Sequence, residues 1–294
     1  MGGAGGHGSD GTGSRDAGRL KRCNVAAWPI NLRKQRPQPL DDTPRAPNVG
    51  YALALIAAYF LLQIAAGGLV SLIVGLAQRI LHPDLTRAQA HEHALTLLRQ
   101  PDSNALLVVV ALPLITLLIL TFVQRNWPAL WTRAMPPGFG LAAPSSAGWY
   151  VIALLVGLVM PPLGAFITQW LAHGHPVTQN VEELSRQASG SLRLPLGLVA
   201  VTVGPMIEEL MFRGVLLSAL MQRLSVRWSV TICAVLFGVV HLVGLDFQWY
   251  AVPNLTLLAV VLCWLRLKSG SLWPAILTHG VYNLFAFIAL LAAP

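Results

Sequence analysis

Charge is scarce in this sequence. Only 11% of its 294 residues are Asp, Glu, Lys or Arg, where a soluble domain carries about 25%. With 55% hydrophobic residues and a mean hydropathy of +0.61, the chain reads as an integral membrane protein. Cysteine is nearly absent too, at three residues, which excludes a disulfide framework. Cys23 falls in a polar stretch, while Cys233 and Cys263 fall in apolar ones and read as small buried hydrophobes. The first 48 residues lack the apolar core of a signal peptide. Met1-Gly2 is a poor myristoylation start, because Gly6 stands where Ser or Thr is wanted. The net charge of +8 does not point to nucleic acid, since eight of the twenty basic residues crowd into the first 45 positions, as in a cytoplasmic tail.

What remains divides in three. Residues 1–48 form a basic tail, Gly-rich, then basic (RLKR, NLRKQRPQP), then Pro-rich. That composition predicts disorder on the cytoplasmic side, within reach of anionic headgroups. Residues 49–192 hold three apolar spans and their loops, and residues 193–294 hold four more. The spans run over about 51–78, 104–122, 148–171, 194–221, 228–243, 249–265 and 272–291, with Pro161-Pro162 marking a kink in the third. The expected fold is an all-α membrane bundle of about seven helices. Fourteen Lys/Arg fall on the tail's side: eight in the tail, then Arg125, Arg133, Arg223, Arg227, Arg266 and Lys268. Five fall opposite: Arg79, Arg87, Arg99, Arg186 and Arg193. This bias places the N-terminus inside and the C-terminus outside. Trp149, Trp228, Trp249 and Trp273 sit near span ends, as interfacial anchors do.

Three groups of polar residues interrupt the later spans. In the fourth, Glu208, Glu209 and Arg213 lie inside an apolar run just after Pro205, and ionisable groups at that depth mark a functional site by default. In an α-helix Glu209 and Arg213 share a face and can pair, while Glu208 points about 100° away without a partner. Pro205 is expected to kink the helix beside them. In the fifth span Phe237 and His241 are four apart, so the ring can pack on the imidazole. In the seventh, His279 and Asn283 share a face in the same way. Taken singly, each group reads as well as a packing device or buried ion pair. Three helices each delivering such groups point instead to a general base, an orienting imidazole and an oxyanion stabiliser, hence to hydrolysis by activated water. No serine or cysteine nucleophile presents itself. His82, His91, His93, His173, His175 and the stretch Glu182 to Arg186 lie in polar loops and read as solvated surface.

EELMFR (Glu208 to Arg213), FGVVH (Phe237 to His241) and HGVYN (His279 to Asn283) fit EExxxR, FxxxH and HxxxN in that order. This resembles the intramembrane proteases of the CAAX-processing and bacteriocin-processing (CPBP, or ABI) family, over roughly residues 190–292. The resemblance implies that Glu208 and His241 activate the attacking water and that His279 and Asn283 stabilise the oxyanion. Glu209, Arg213 and Phe237 would support them. It leaves the cofactor open. Glu208, His241 and His279 offer a His₂Glu zinc set, yet the compact HExxH and HxxEH patterns are missing, so the expectation is no obligatory metal. The first three spans carry no assignable motif.

Two other classes compete with an endopeptidase acting on a membrane-associated or lipidated peptide. A transporter or channel also needs buried Glu, His and Arg, but matching broken helices are missing from the first half. A non-catalytic immunity or scaffold protein would keep its activity without Glu208. Seventeen arginines against three lysines, with abundant Ala and Gly, suggest a GC-rich bacterial source and hence the cell membrane. Lipids and a peptide substrate are the expected partners.

Overall fold

The computed structural model describes Gly2 and residues 46–175, 184 and 186–292. Most of the basic tail, Cys23, and Glu182, Glu183 and Ser185 of the loop stretch lie outside the described residues. Among the described residues every regular element is helical. In chain order these are α1 (Val49–Leu81), α2 (Arg87–Leu98), α3 (Pro101–Asn126), α4 (Pro128–Trp131) and α5 (Gly148–Ala172). Then come α6 (Gly190–Val201), α7 (Val203–Glu209), a π-helical turn (Leu210–Leu216) and α8 (Leu217–Met221). The chain closes with α9 (Val226–Val240), α10 (Val252–Ser269) and α11 (Trp273–Ala292).

Five stretches are long and apolar enough to cross a membrane: Val49–Leu81, Pro101–Asn126, Gly148–Ala172, Gly190–Met221 and Trp249–Ser269. The protein is thus an all-α, membrane-embedded bundle. α9 has 15 residues and stops just before His241, short of the predicted end at residue 243. α5 runs without interruption through Pro161 and Pro162. Local chemistry sets the helix ends. Asn48 accepts the Tyr51 N–H at 2.9 Å to start α1, a Thr86/Gln89 capping box starts α2, and Gly270, at φ 69°, ends α10. α1 packs on α2, α3 and the π-turn, α9 on α10, and α11 on α5 and α6. The main core gathers Leu55, Tyr59, Ile207, Phe212 and Phe237 among others.

The segment 132–147 is an ordered connector, held by a residue that the sequence presents as a loop charge. Arg266, on α10, is fully buried. Its Nη1 donates to the Ala134 carbonyl at 2.7 Å and its Nη2 to that of Gly138 at 2.8 Å. Ser218 Oγ donates to the same Gly138 oxygen at 3.1 Å, and the Leu272 N–H to Gly140 at 2.7 Å. Gly140 is at φ 78°, and a Cβ there would sit 2.5 Å from Arg266 Cζ, so only glycine fits. Arg266 therefore drops out of the loop count. Without it, and without the tail, the loops carry five basic residues on each side, so any orientation rests on the tail.

Replacing Arg266 with Met should remove two bonds from a charged donor, one to the buried Gly138 carbonyl and one to the part-buried Ala134 carbonyl. At about 1.5–3 kcal/mol per such bond, a loss of about 3 kcal/mol or more is expected. It should show as a lower unfolding temperature of the detergent-purified protein, measured by differential scanning fluorimetry; an unchanged midpoint would refute the clamp.

Candidate active site

The site begins at a broken helix. α6 ends at Val201 and α7 starts at Val203, with Thr202 between them at φ −116° and ψ −61°. The break therefore precedes Pro205 rather than occurring at it. Pro205 is the third residue of α7, where a backbone N–H has no intrahelical partner to lose. The missing N–H would otherwise have bonded Val201 O, and α11 takes up the exposed backbone. Gly280 comes so close that a Cβ on it would sit 2.8 Å from Val201 O, and Asn283 Nδ2 donates to Ala200 O at 2.9 Å.

The acidic motif continues from α7 into the π-turn, where the Leu217 N–H reaches back five residues to Phe212 O. π-Turns are rare and collect at functional sites. Within this one, Arg213 Nη1 donates to Glu209 Oε1 at 2.7 Å, with both side chains fully buried. The expected i, i+4 pair is present, in a wider helix than expected. The guanidinium carbon also lies 4.3 Å from the Phe237 ring centroid, a desolvated cation–π contact.

The other two motifs converge here. Phe237 packs on His241 with centroids 4.5 Å apart and meets His279 edge-on at 5.7 Å. His241, the residue that caps α9, has Nδ1 at 2.7 Å from Phe237 O. A carbonyl only accepts, so Nδ1 carries the proton and Nε2 faces Glu208 Oε2 at 3.5 Å. His279 Nδ1 lies 2.9 Å from Glu209 Oε1, and by the same reasoning donates to that carboxylate. Its Nε2 lies 3.9 Å from Glu208 Oε2. Glu208 is thus the partly exposed member, at 21%, while Glu209 and Arg213 are sealed at 0%.

Six of the seven residues singled out by the motifs meet in one cluster, Glu208, Glu209, Arg213, Phe237, His241 and His279, and Asn283 lies one turn beyond His279 on α11. At 3.5 Å, Glu208 and His241 are too far apart for a good direct bond and well placed to share a water about 2.8 Å from each. Asn283 is less free than its spacing implies, because one amide proton is taken by Ala200 O; the second remains. The zinc set fits poorly as it stands. Tetrahedral bonds of about 2.0–2.1 Å put ligand atoms about 3.3 Å apart, and the separations from Glu208 Oε2 are wider. Among the described residues no group of three or more His, Cys, Asp or Glu is placed to hold a metal ion.

His173 and His175 lie elsewhere, lining with Leu171, Trp249 and Tyr250 a cavity of about 490 Å³ that contains none of the motif residues. What sequence reasoning missed is on α1. Tyr59 is buried to 4% in the same core as Ile207, Leu210 and Phe237. The available signal was a polar pair, Tyr59 and Gln63, one turn apart in a span otherwise almost free of polar residues.

Arg213→Ala should cost about 3–5 kcal/mol, since it strands a buried Glu209 carboxylate. The expected outcome is a lower folded yield and unfolding temperature together with lost activity. A variant of normal stability that is inactive would instead make Arg213 a substrate-contacting group.

Comparison with known proteins agrees with this geometry. Residues 190–285 match the family described as type II CAAX prenyl endopeptidase Rce1-like. No curated protein and no solved structure gave a match. The matched residues span α6 to α11 and contain all three motifs, with the buried network of Glu208, Glu209 and His279 inside them. The C-terminal region, residues 190–285, thus matches an Rce1-like CAAX-protease domain, and its buried His/Glu cluster is a site of the intramembrane-protease type.

Proposed function

We propose that this protein hydrolyses a peptide bond of a membrane-associated or lipidated protein with Glu208 as general base. One observation carries the reading: Glu208 Oε2 is partly exposed and faces two imidazole Nε2 atoms, at 3.5 and 3.9 Å, while its neighbour Glu209 is sealed against Arg213. A water held by Glu208 and His241 gives a proton to Glu208 as its oxygen attacks the scissile carbonyl. The oxyanion that forms accepts hydrogen bonds from Asn283 and His279. Donation by His279 to the oxyanion requires a proton on Nε2 beside the one on Nδ1, which is bonded to Glu209. As the C–N bond breaks, Glu208 returns its proton to the leaving amine, and the new carboxyl end departs.

This scheme needs no obligatory metal, because the carboxylate alone serves as base. Its substrates come from the bilayer, and no nucleic acid is involved. The basic tail supports a cytoplasmic N-terminus in a bacterial cell membrane. Seven crossings then follow if α9 and α11 also span, with the C-terminus outside.

Glu208→Gln keeps the shape of the side chain and removes the base. Cleavage should fall at least ~10²–10⁴-fold with the unfolding temperature unchanged, and Asn283→Ala should lose ~10²–10³-fold. Wild-type activity should survive chelators of divalent cations. Substantial cleavage by folded Glu208→Gln protein would overturn the assignment, and chelator inhibition would move the water onto a metal. The topology has its own check. Cysteines placed at Ser103 and Arg125 should be labelled from opposite sides of the membrane.

A further inference from the structure

α11 turns two faces to the rest of the protein. His279 and Asn283 lie on one, bonded to Glu209 and to the Ala200 carbonyl of α6. Thr278 and Tyr282, also four apart, lie about 100° round the helix on the other. That second face rests on α5 and α10. α5 lies outside the family-matched residues 190–285 and carries none of the motifs.

Two polar bonds tie the second face down. Thr278 Oγ1, fully buried, donates to the Ala153 carbonyl of α5 at 2.9 Å. One turn on, Tyr282 Oη accepts from Asn254 Nδ2 of α10 at 2.8 Å. The helices also approach closely between these bonds: a Cβ at Gly157 of α5 would stand 2.8 Å from Val281 Cβ and 3.1 Å from Thr278 O.

The Thr278 bond is not the one a helical threonine makes most simply. Its hydroxyl can return to the carbonyl one turn back in its own helix. Thr96 does so with Glu92 O at 2.9 Å, and Thr202 with Leu198 O at 2.7 Å. Thr278 crosses to another helix instead. Ala153 O does not need this donor, because it lies inside α5 and the helix's own backbone bonds serve it. What the bond adds is a position: how far α11 is turned about its axis against α5. The next residue is His279, with Nδ1 at 2.9 Å from Glu209 Oε1 and Nε2 at 3.9 Å from Glu208 Oε2. At a side-chain radius of about 5–6 Å, a turn of about 10° would move that imidazole by about 1 Å.

We propose that Thr278 is a positioning residue for His279: its bond to Ala153 O makes α5 the seat that sets the rotation of α11. Tyr282 and Asn254 form the second tie, one turn away. The proposal rests on the reading of His279 as an oxyanion donor beside the base Glu208, and it brings α5 into the support of the site.

Two measurements on the full-length protein in detergent test it. The first is cleavage of a quenched fluorescent peptide ending in a farnesylated Cys-aliphatic-aliphatic-X sequence. Thr278→Val exchanges the hydroxyl for a methyl and should lower kcat by about tenfold to a hundredfold, the scale of a misplaced reacting group. KM and unfolding temperature should not change. Thr278→Ser keeps the hydroxyl and should keep wild-type kcat. Thr116→Val makes the same exchange at a buried threonine of α3 whose hydroxyl has no hydrogen-bond partner, and should also leave kcat unchanged. The second measurement needs no substrate. Deuterium exchange at the imidazole C2 of His279, followed by mass spectrometry, should be several-fold faster in Thr278→Val and unchanged in the other two variants. Wild-type kcat or wild-type His279 exchange in Thr278→Val would overturn the proposal. So would equal losses in Thr278→Val and Thr278→Ser, or a lowered unfolding temperature of Thr278→Val, either of which would make Thr278 a packing residue. If His279 exchanges faster in Thr278→Val but Glu208→Gln cleaves as well as wild type, the base assignment fails while the seat on α5 stands.

Discussion

One oxygen atom holds the site together. Glu209 Oε1 accepts from Arg213 at 2.7 Å and from His279 at 2.9 Å, and so joins the fourth and seventh apolar stretches of the chain. A carboxylate or guanidinium sealed from water is tolerated only when paired, which makes neither charge dispensable. Because the bond to His279 fixes which ring nitrogen carries a proton, the structural pair also sets the chemistry facing Glu208. Phe237 adds to both functions, covering the guanidinium with its face and supporting two imidazoles with its edges and carbonyl. The adjacent acidic residues thus differ in setting: Glu209 is sealed within the network, and Glu208 is partly exposed beside two imidazoles.

The broken helix plays a second organising part. Breaking the chain at Thr202 leaves backbone carbonyls that lipid could not satisfy, and α11 covers them with Gly280 and Asn283. His279 enters the site on the same helix, so the contact that repairs the break also sets the depth of the imidazole. Asn283 holds the backbone with one amide proton.

The motifs were legible because ionisable side chains stand out against apolar spans, and the i, i+4 spacing of Glu209 with Arg213 and of Phe237 with His241 translated directly into contacts. Other features were hidden for identifiable reasons. A π-turn preserves the i, i+4 approach of Arg213 to Glu209, so nothing in the spacing distinguishes it from an α-helix. Pro205 announced irregular backbone but sits just inside the new helix, where proline is tolerated, rather than at the break. Arg266 lies at the end of an apolar stretch, where a loop charge and a buried clamp look alike; only the carbonyls of Ala134 and Gly138, more than a hundred residues earlier, tell them apart. Tyr59 escaped notice because an aromatic ring on an apolar helix is ordinary core material.

The length of α1 has a mechanical consequence. Its 33 residues make a rod about 50 Å long at about 1.5 Å per residue, against about 30 Å of hydrocarbon. Even leaning at about 40°, the steep end of what spanning helices adopt, it still measures about 38 Å along the membrane normal. At least about 8 Å of this helix therefore stands among the headgroups. α2 doubles back along the C-terminal end of the rod, where Ala94 Cβ would come within 3.7 Å of a Cβ on Gly75. A bare apolar post in wet surroundings is thereby turned into a braced hairpin.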